Sequence, residues 1–441
     1  MWAALAAGAA AWGEGLTLRW AAWPYAWGAA AVWVAIGLVL ATGYGPAHRW
    51  SRPPHLAAGF AALLTLFGSG SYWATTQLYP QYRVPIERAA WLVALAMLCA
   101  LLAGLAARPL LRSRNGPSRL EWDWFRVRVA TAVVFVLAAA GTVGALSRIG
   151  YVPVLAGDPT AARVDFPDIA GLWYRLSMLG GVAALLAGAQ VAARQATPGT
   201  WAIGLASLAL VGVYGPRFFV TLPLGVAALL WDRVRAPLRV GVLAVFGVAA
   251  LAVLALLGYV REQDPSAGLL GPLGLLVYGT FGEFRDLGWM LDHYASGDRF
   301  LGGVTLGSLI VPLLPRQFWA LAGVDKMAVY ARNSASILAD DMGQVTGQRV
   351  GIFGECFMNF GWIGVLIGAA VYGGLLVWLD ERLRTAGAAE VRSIGLALVA
   401  ATATFALAGQ LNMFTSTLTG LGYPLAVIAL AAARRPDSPR L

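Results

Sequence analysis

Apolar residues in this chain come in long blocks separated by short polar connections, with no strand-like alternation over any length. The blocks lie at about 24–42, 56–72, 89–107, 129–147, 171–193, 200–214, 217–231, 239–259, 361–379, 393–411 and 418–433. A helix rising about 1.5 Å per residue needs roughly 20 residues to cross a hydrocarbon core near 30 Å. Most blocks meet or approach that length, so the pattern predicts an all-α, polytopic membrane protein with about eleven spans, within a range of ten to twelve. Met1–Trp12 is too short to span and is expected at the interface.

Composition agrees with this reading. Of 441 residues, 59% are hydrophobic and only 12% are charged, where soluble domains carry about 25% charged residues. A water-soluble globule of this size cannot hide that much apolar side chain. The net charge of +10 raises the question of nucleic acid, but its distribution answers no. All basic residues except Lys326 are arginines, and they punctuate the apolar blocks instead of clustering. Alternate loops, beginning with Arg49 and Arg52 and ending with Arg434, Arg435 and Arg440, hold 18 Arg against seven acids, a net of +11. The remaining loops sum to −1. The positive-inside rule then puts the Arg-rich side in the cytoplasm, with the N-terminus outside and the C-terminus inside. Cys99 and Cys356 are too far apart in sequence to suggest a metal site or a disulfide framework, and Met1–Trp12 lacks the basic start of a signal peptide.

Two features break the regular succession of spans. The external stretch 260–360 is far longer than the other connections, and long connections are usually functional or separately folded. Within it Leu269–Phe281 and Leu301–Trp319 are apolar, Gly-rich and Pro-rich, which predicts helices lying on the membrane or dipping into it. The chain is therefore read as one membrane domain, 1–441, with a cap formed by 260–360. The second feature is Trp201–Trp231, which is too long for one span and is interrupted by Gly215-Pro216-Arg217. It predicts a hairpin whose arms, about 21 Å each, leave the tip and Arg217 below the outer surface. An arginine at membrane depth is costly and points to function, against the plainer reading of a side chain that snorkels to lipid phosphate.

The remaining candidate chemistry is external. Gly150-Tyr-Val-Pro-Val-Leu-Ala-Gly-Asp158-Pro-Thr-Ala-Ala-Arg163 is a tight loop ending on an arginine, which either binds an anion or pairs locally with Asp158 or Asp165. Glu283, Arg285, Asp286, Asp292 and His293 fall within one short segment; if it is helical, Glu283, Arg285 and Asp286 cannot all face one way. Arg316, Lys326 and Arg332 bring three cations together, followed by Asp340 and Asp341 and then by Gly354-Glu355 and Asn359-Phe-Gly361. Glu355 sits at the edge of a span, where it serves as a base or pairs with Arg349. No metal site is expected. Several arginines near the outer leaflet suit a phosphorylated headgroup, since guanidinium binds phosphate through two parallel hydrogen bonds.

Four of these segments, in order, resemble the Wzy-type oligosaccharide repeat-unit polymerases. The loop 150–163 is similar to their "G-I-P-L-x-S-G-D…R" stretch, although Ala156 replaces the Ser, and Gly-Pro-Arg217 resembles their mid-membrane Arg. Val311-Pro-Leu-Leu-Pro-Arg-Gln-Phe-Trp319…Lys326 looks like their "I-P-R-x-x-W-P…K-P" segment without its later prolines. Gly354-Glu-Cys-Phe-Met-Asn-Phe-Gly361 is similar to their "G-E…N-F-G" stretch. The matches cover roughly residues 145–365. The resemblance implies a GT-C-like membrane glycosyltransferase in the bacterial cytoplasmic membrane, active on its outer face. Donor and acceptor would be undecaprenyl-pyrophosphate-linked oligosaccharides, with a chain-length regulator as an accessory partner and no cofactor, metal or nucleotide sugar. On this reading Arg163, Arg217, Arg332 and Arg316 surround the pyrophosphate. Glu355, or else His293, handles the acceptor proton, and Asp158, Glu283 and Asn359 hold glycan. A ligase-like enzyme using the same donor and a transporter or flippase remain as alternatives; the transporter is disfavoured because the sequence suggests only the single span break at Gly215–Arg217.

Overall fold

The computed structural model describes residues 23–41, 52–73, 86–111, 120–153, 170–214, 217–234, 283–295, 299–310, 313, 316–323, 325, 329, 332–341, 349–387 and 390–434. These are overwhelmingly helical. In chain order the helices are α1 (Trp23–Ala41), α2 (Pro53–Trp73), α3 (Ile86–Leu111), α4 (Trp124–Ile149), α5 (Leu172–Ser177), α6 (Leu179–Ala192), α7 (Pro198–Gly212) and α8 (Arg217–Val234). There follow α9 (Glu283–His293), α10 (Val304–Ile310), α11 (Arg316–Leu321), α12 (Ser334–Asp341), α13 (Gly351–Thr385), α14 (Val391–Phe405), α15 (Asn412–Thr417) and α16 (Tyr423–Ala432). A π-helical turn, Leu418–Gly422, joins α15 to α16 without interruption. The only strands among the described residues are the two-residue β1 (Glu121–Trp122) and β2 (Ala433–Arg434), paired antiparallel.

Among the described residues, five segments are long and apolar enough to cross a membrane: Ile86–Leu111, Trp124–Ile149, Leu172–Ala192, Gly351–Thr385 and Asn412–Ala432. Trp27–Val39, Pro53–Leu66, Pro198–Gly212 and Val391–Phe405 are shorter apolar helices. The apolar block 239–259 lies outside the described residues. The break expected near Gly215 is present, with α7 ending at Gly212 and α8 starting at Arg217. Local signals account for several helix ends. Asp123 caps α4 by accepting from the Phe125 and Arg126 N–H groups at 3.1 and 3.3 Å, and Thr197 and Thr200 form a reciprocal capping box on α7.

The Arg-bearing loops meet at one end of the bundle. Asp380, near the end of α13, accepts from Arg52 Nε at 3.1 Å and from Arg233 Nη2 at 3.0 Å. Its neighbour Glu381 faces Arg384 at 2.9 Å and Arg108 at 3.8 Å. Beside them β1 pairs with β2, and Glu121 bridges to Glu390. Loops that share a charge signature along the chain thus share a face in space. At the core of this packing α3 crosses α13 where Gly373 meets the Ala100 backbone, leaving no room for a side chain.

Candidate functional site

The opposite end of the bundle carries the external candidates. Two helix discontinuities define it. In α13, Phe360 and Gly361 leave helical geometry (φ −143° and +61°). The carbonyls of Met358 and Asn359 accept instead from Leu301 and Gly302 N–H, at 2.9 and 3.0 Å. The second discontinuity is the segment 406–411 between α14 and α15. Sequence alone suggested a single break at Gly215–Arg217; the fold adds these two, which carry no Pro or charged residue to mark them.

The two breaks are joined. Ile352 N–H donates to Ala406 O at 2.9 Å. Gly351 sits at φ +67°, where a β-carbon would collide with the Leu407 carbonyl oxygen. Leu411 N–H donates to Glu355 Oε2 at 2.8 Å. Glu355 is 1% exposed, and among the described residues it makes no ion pair. Four residues along the same helical face, the Asn359 amide donates to the Glu355 carbonyl at 2.8 Å and to Thr305 Oγ1 at 2.7 Å. The Thr305 and Ser334 hydroxyls lie against the Glu355 carboxylate. Thr305 comes from α10 and Ser334 opens α12, so two short helices of the 300–341 region cover the carboxylate. Neither hydroxyl stood out in the sequence. For Thr305 the available signal was a set of small polar residues inside the apolar stretch Leu301–Trp319; Ser334 lies outside that stretch, two residues after Arg332.

Arg349 does not pair with Glu355. Its Nη1 faces Glu283 Oε1 at 3.1 Å, and its backbone N–H donates to Asp286 at 2.9 Å. In α9, Glu283 and Asp286 are both buried, while Arg285 folds back onto Asp286 at 2.6 Å. Burial pushes the Glu283 carboxyl up to about 7, Arg349 opposing the rise without cancelling it. The far end of α9 holds His293, stacked on Trp289 with centroids 4.7 Å apart. His293 Nε2 lies 3.4 Å from Asp341, to which Tyr294 also donates at 3.1 Å. Asp341 is thereby engaged with α9, and among the described residues no three His, Cys, Asp or Glu side chains converge on a metal.

Of the arginines, Arg332 is exposed one residue before Asn333, which caps α12 by accepting from Ser336 N–H at 3.0 Å. Arg217 and Arg316 open α8 and α11; Arg163 and Asp158 lie outside the described residues. The start of α8 reaches the second break, since the Phe218 ring meets Phe405, the last residue of α14, at 6.0 Å. The helix that begins with Arg217 and the helix that carries Glu355 therefore abut the same six-residue interruption.

No family model, curated protein or solved structure matches this chain.

Proposed function

We propose that the chain is an integral membrane glycosyltransferase that polymerises oligosaccharide repeat units carried on a lipid pyrophosphate. The supporting observation is the meeting of Arg217's helix and Glu355's helix at 406–411, two candidates about 140 positions apart in sequence. In the proposed step the acceptor hydroxyl oxygen attacks the anomeric carbon of the donor glycan. Its proton passes to Glu355, and the bond from that carbon to the pyrophosphate breaks with the electron pair leaving on phosphate oxygen. Arg163, Arg217, Arg316 and Arg332 are assigned to that developing charge, which fixed cations stabilise best in a site that excludes water. Asn359, Glu283 and Asp158 are assigned to glycan, with His293 as the second candidate base. Because α10 and α12 cover Glu355, acceptor access requires these two short helices to move.

The reading includes eleven spans in a GT-C-like arrangement within the bacterial cytoplasmic membrane, with the Asp380 face and the C-terminus cytoplasmic and the Glu355 face outward. The partners are donor and acceptor repeat units linked to undecaprenyl pyrophosphate, together with a chain-length regulator. The test is polymerisation of purified lipid-linked units in vitro. Arg217→Ala and Arg163→Ala are each expected to abolish long chains; near wild-type chain lengths in both variants would sink the assignment.

One observation favours a second reading. Apolar helices interrupted at Phe360–Gly361 and at 406–411 meet around a buried carboxylate, and discontinuous helices are how many transporters build ion and solute sites. A cation-coupled transporter or flippase is its form here, and uptake into vesicles without any change in glycan linkage would select it.

A further inference from the structure

We propose that Glu355, Asn359 and Ser334 form a binding site for a monovalent cation, Na⁺ in the first instance. Glu355 is almost fully buried, and no described cationic side chain pairs with it; Arg349, the nearest cation in sequence, is committed to Glu283. An isolated ionised carboxylate in a low-dielectric interior costs several kcal/mol. One positive charge cancels one carboxylate, which selects a monovalent over a divalent ion.

The donor atoms agree. Leu411 N–H takes Glu355 Oε2, while Oε1 is buried with no hydrogen-bond partner among the described residues. The Asn359 amide has a determined orientation: the Glu355 carbonyl is an acceptor only, so Nδ2 must face it. That leaves Asn359 Oδ1, also buried and without a partner among the described residues. The Ser334 hydroxyl lies beside the carboxylate, and its oxygen too is buried with no well-formed hydrogen bond to a described residue. Carboxylate, amide and hydroxyl oxygens are hard ligands suited to alkali and alkaline-earth ions, not to thiophilic metals. The sulfur of the adjacent Cys356 packs against Gly368 instead. Glu355 and Asn359 are each 1% exposed, so an ion held between them is shielded from bulk water.

The site shares Glu355 and Asn359 with the glycosyl-transfer reading but does not depend on it. Under that reading a cation on Oε1 must leave before Glu355 accepts a proton, so Na⁺ inhibits turnover; under the transporter reading Na⁺ drives it. Binding itself is measured without either activity. The full chain, purified in detergent, is titrated with NaCl against choline chloride at constant ionic strength while thermal unfolding is followed by tryptophan fluorescence. The expected result is a saturable rise in Tm with Na⁺ and none with choline. Ser334→Ala and Asn359→Ala should weaken the Na⁺ midpoint by about tenfold or more, and Glu355→Gln should abolish the response. Ser334→Ala keeps the test decisive if Glu355→Gln fails to fold. A Tm that ignores Na⁺, or that responds only to pH, would mean that a proton or another side chain neutralises Glu355 and would overturn the proposal. So would an unchanged Na⁺ midpoint in Ser334→Ala and Asn359→Ala together.

Discussion

Glu355 Oε2 accepts the Leu411 backbone N–H at 2.8 Å, across 56 positions of sequence. One carboxylate thereby closes the gap between the first turns of α13 and the interrupted segment before α15. Glu355→Ala leaves that N–H buried without its acceptor, an expected loss of about 1–3 kcal/mol, read as a lower Tm in detergent. Glu355→Gln keeps an acceptor oxygen and should melt closer to wild type. Under the glycosyl-transfer reading it should nevertheless lower polymerisation by about 10²-fold or more, the usual range for losing a general base. A Glu355→Gln variant with normal chain length would remove Glu355 from the chemistry.

Glu283 supplies a pH dependence with a definite sign. Its carboxyl is raised from 4.5 to about 7 by burial, against the pull of Arg349. The folded state therefore holds this proton more tightly than the unfolded state. Stability from this group is fully present below about pH 4.5, falls as pH rises towards 7 and levels off above it. The whole change is on the order of 3 kcal/mol. Thermal melts between pH 4.5 and 8 should show the decline, and Glu283→Gln should flatten it. A wild-type profile without that decline would contradict the buried placement of Glu283.

Asp380 accepts from arginines on two separate segments, Arg52 before α2 and Arg233 in α8, with all three side chains largely buried. Asp380→Asn leaves both guanidinium groups under-compensated, and breaking a buried pair in this way costs about 3–5 kcal/mol. The measurement is the yield of monodisperse protein and its Tm. A conservative change at an exposed partner, Arg384→Lys, should leave both near wild type.

Gly351 combines a left-handed φ of +67° with close approach to the Leu407 carbonyl oxygen. Gly351→Ala is expected to cost at least about 1–2 kcal/mol from backbone conformation alone, with the steric clash added to it. Gly374, in the same helix with open space around it, is the control. Gly374→Ala should be neutral or slightly stabilising, and equal melting of the two variants would refute the packing at 351.

The run lengths of apolar residues carried the helical class and the presence of membrane-length helices, and the Arg content of the loops indicated which of them meet at one end. A span needs only enough consecutive apolar residues, and a loop's side is written in its own charge, so both are local properties of the chain. The break between α7 and α8 was legible for the same reason, because Gly and Pro placed together interrupt a helix. The charge pattern also sorted Arg52, Arg108, Arg233 and Arg384 onto one side before any contact between them was known. Partners were another matter. Arg349 is six residues from Glu355 in sequence but pairs with Glu283, and Glu355 instead finds the backbone of Leu411 and the hydroxyls of Thr305 and Ser334. The segment 406–411 is apolar enough to pass for the end of a span, and only its packing against Gly351 and Ile352 reveals the interruption. Hydropathy measures what each residue prefers to be surrounded by, whereas a site depends on which distant residues supply those surroundings. That choice is made when the helices pack.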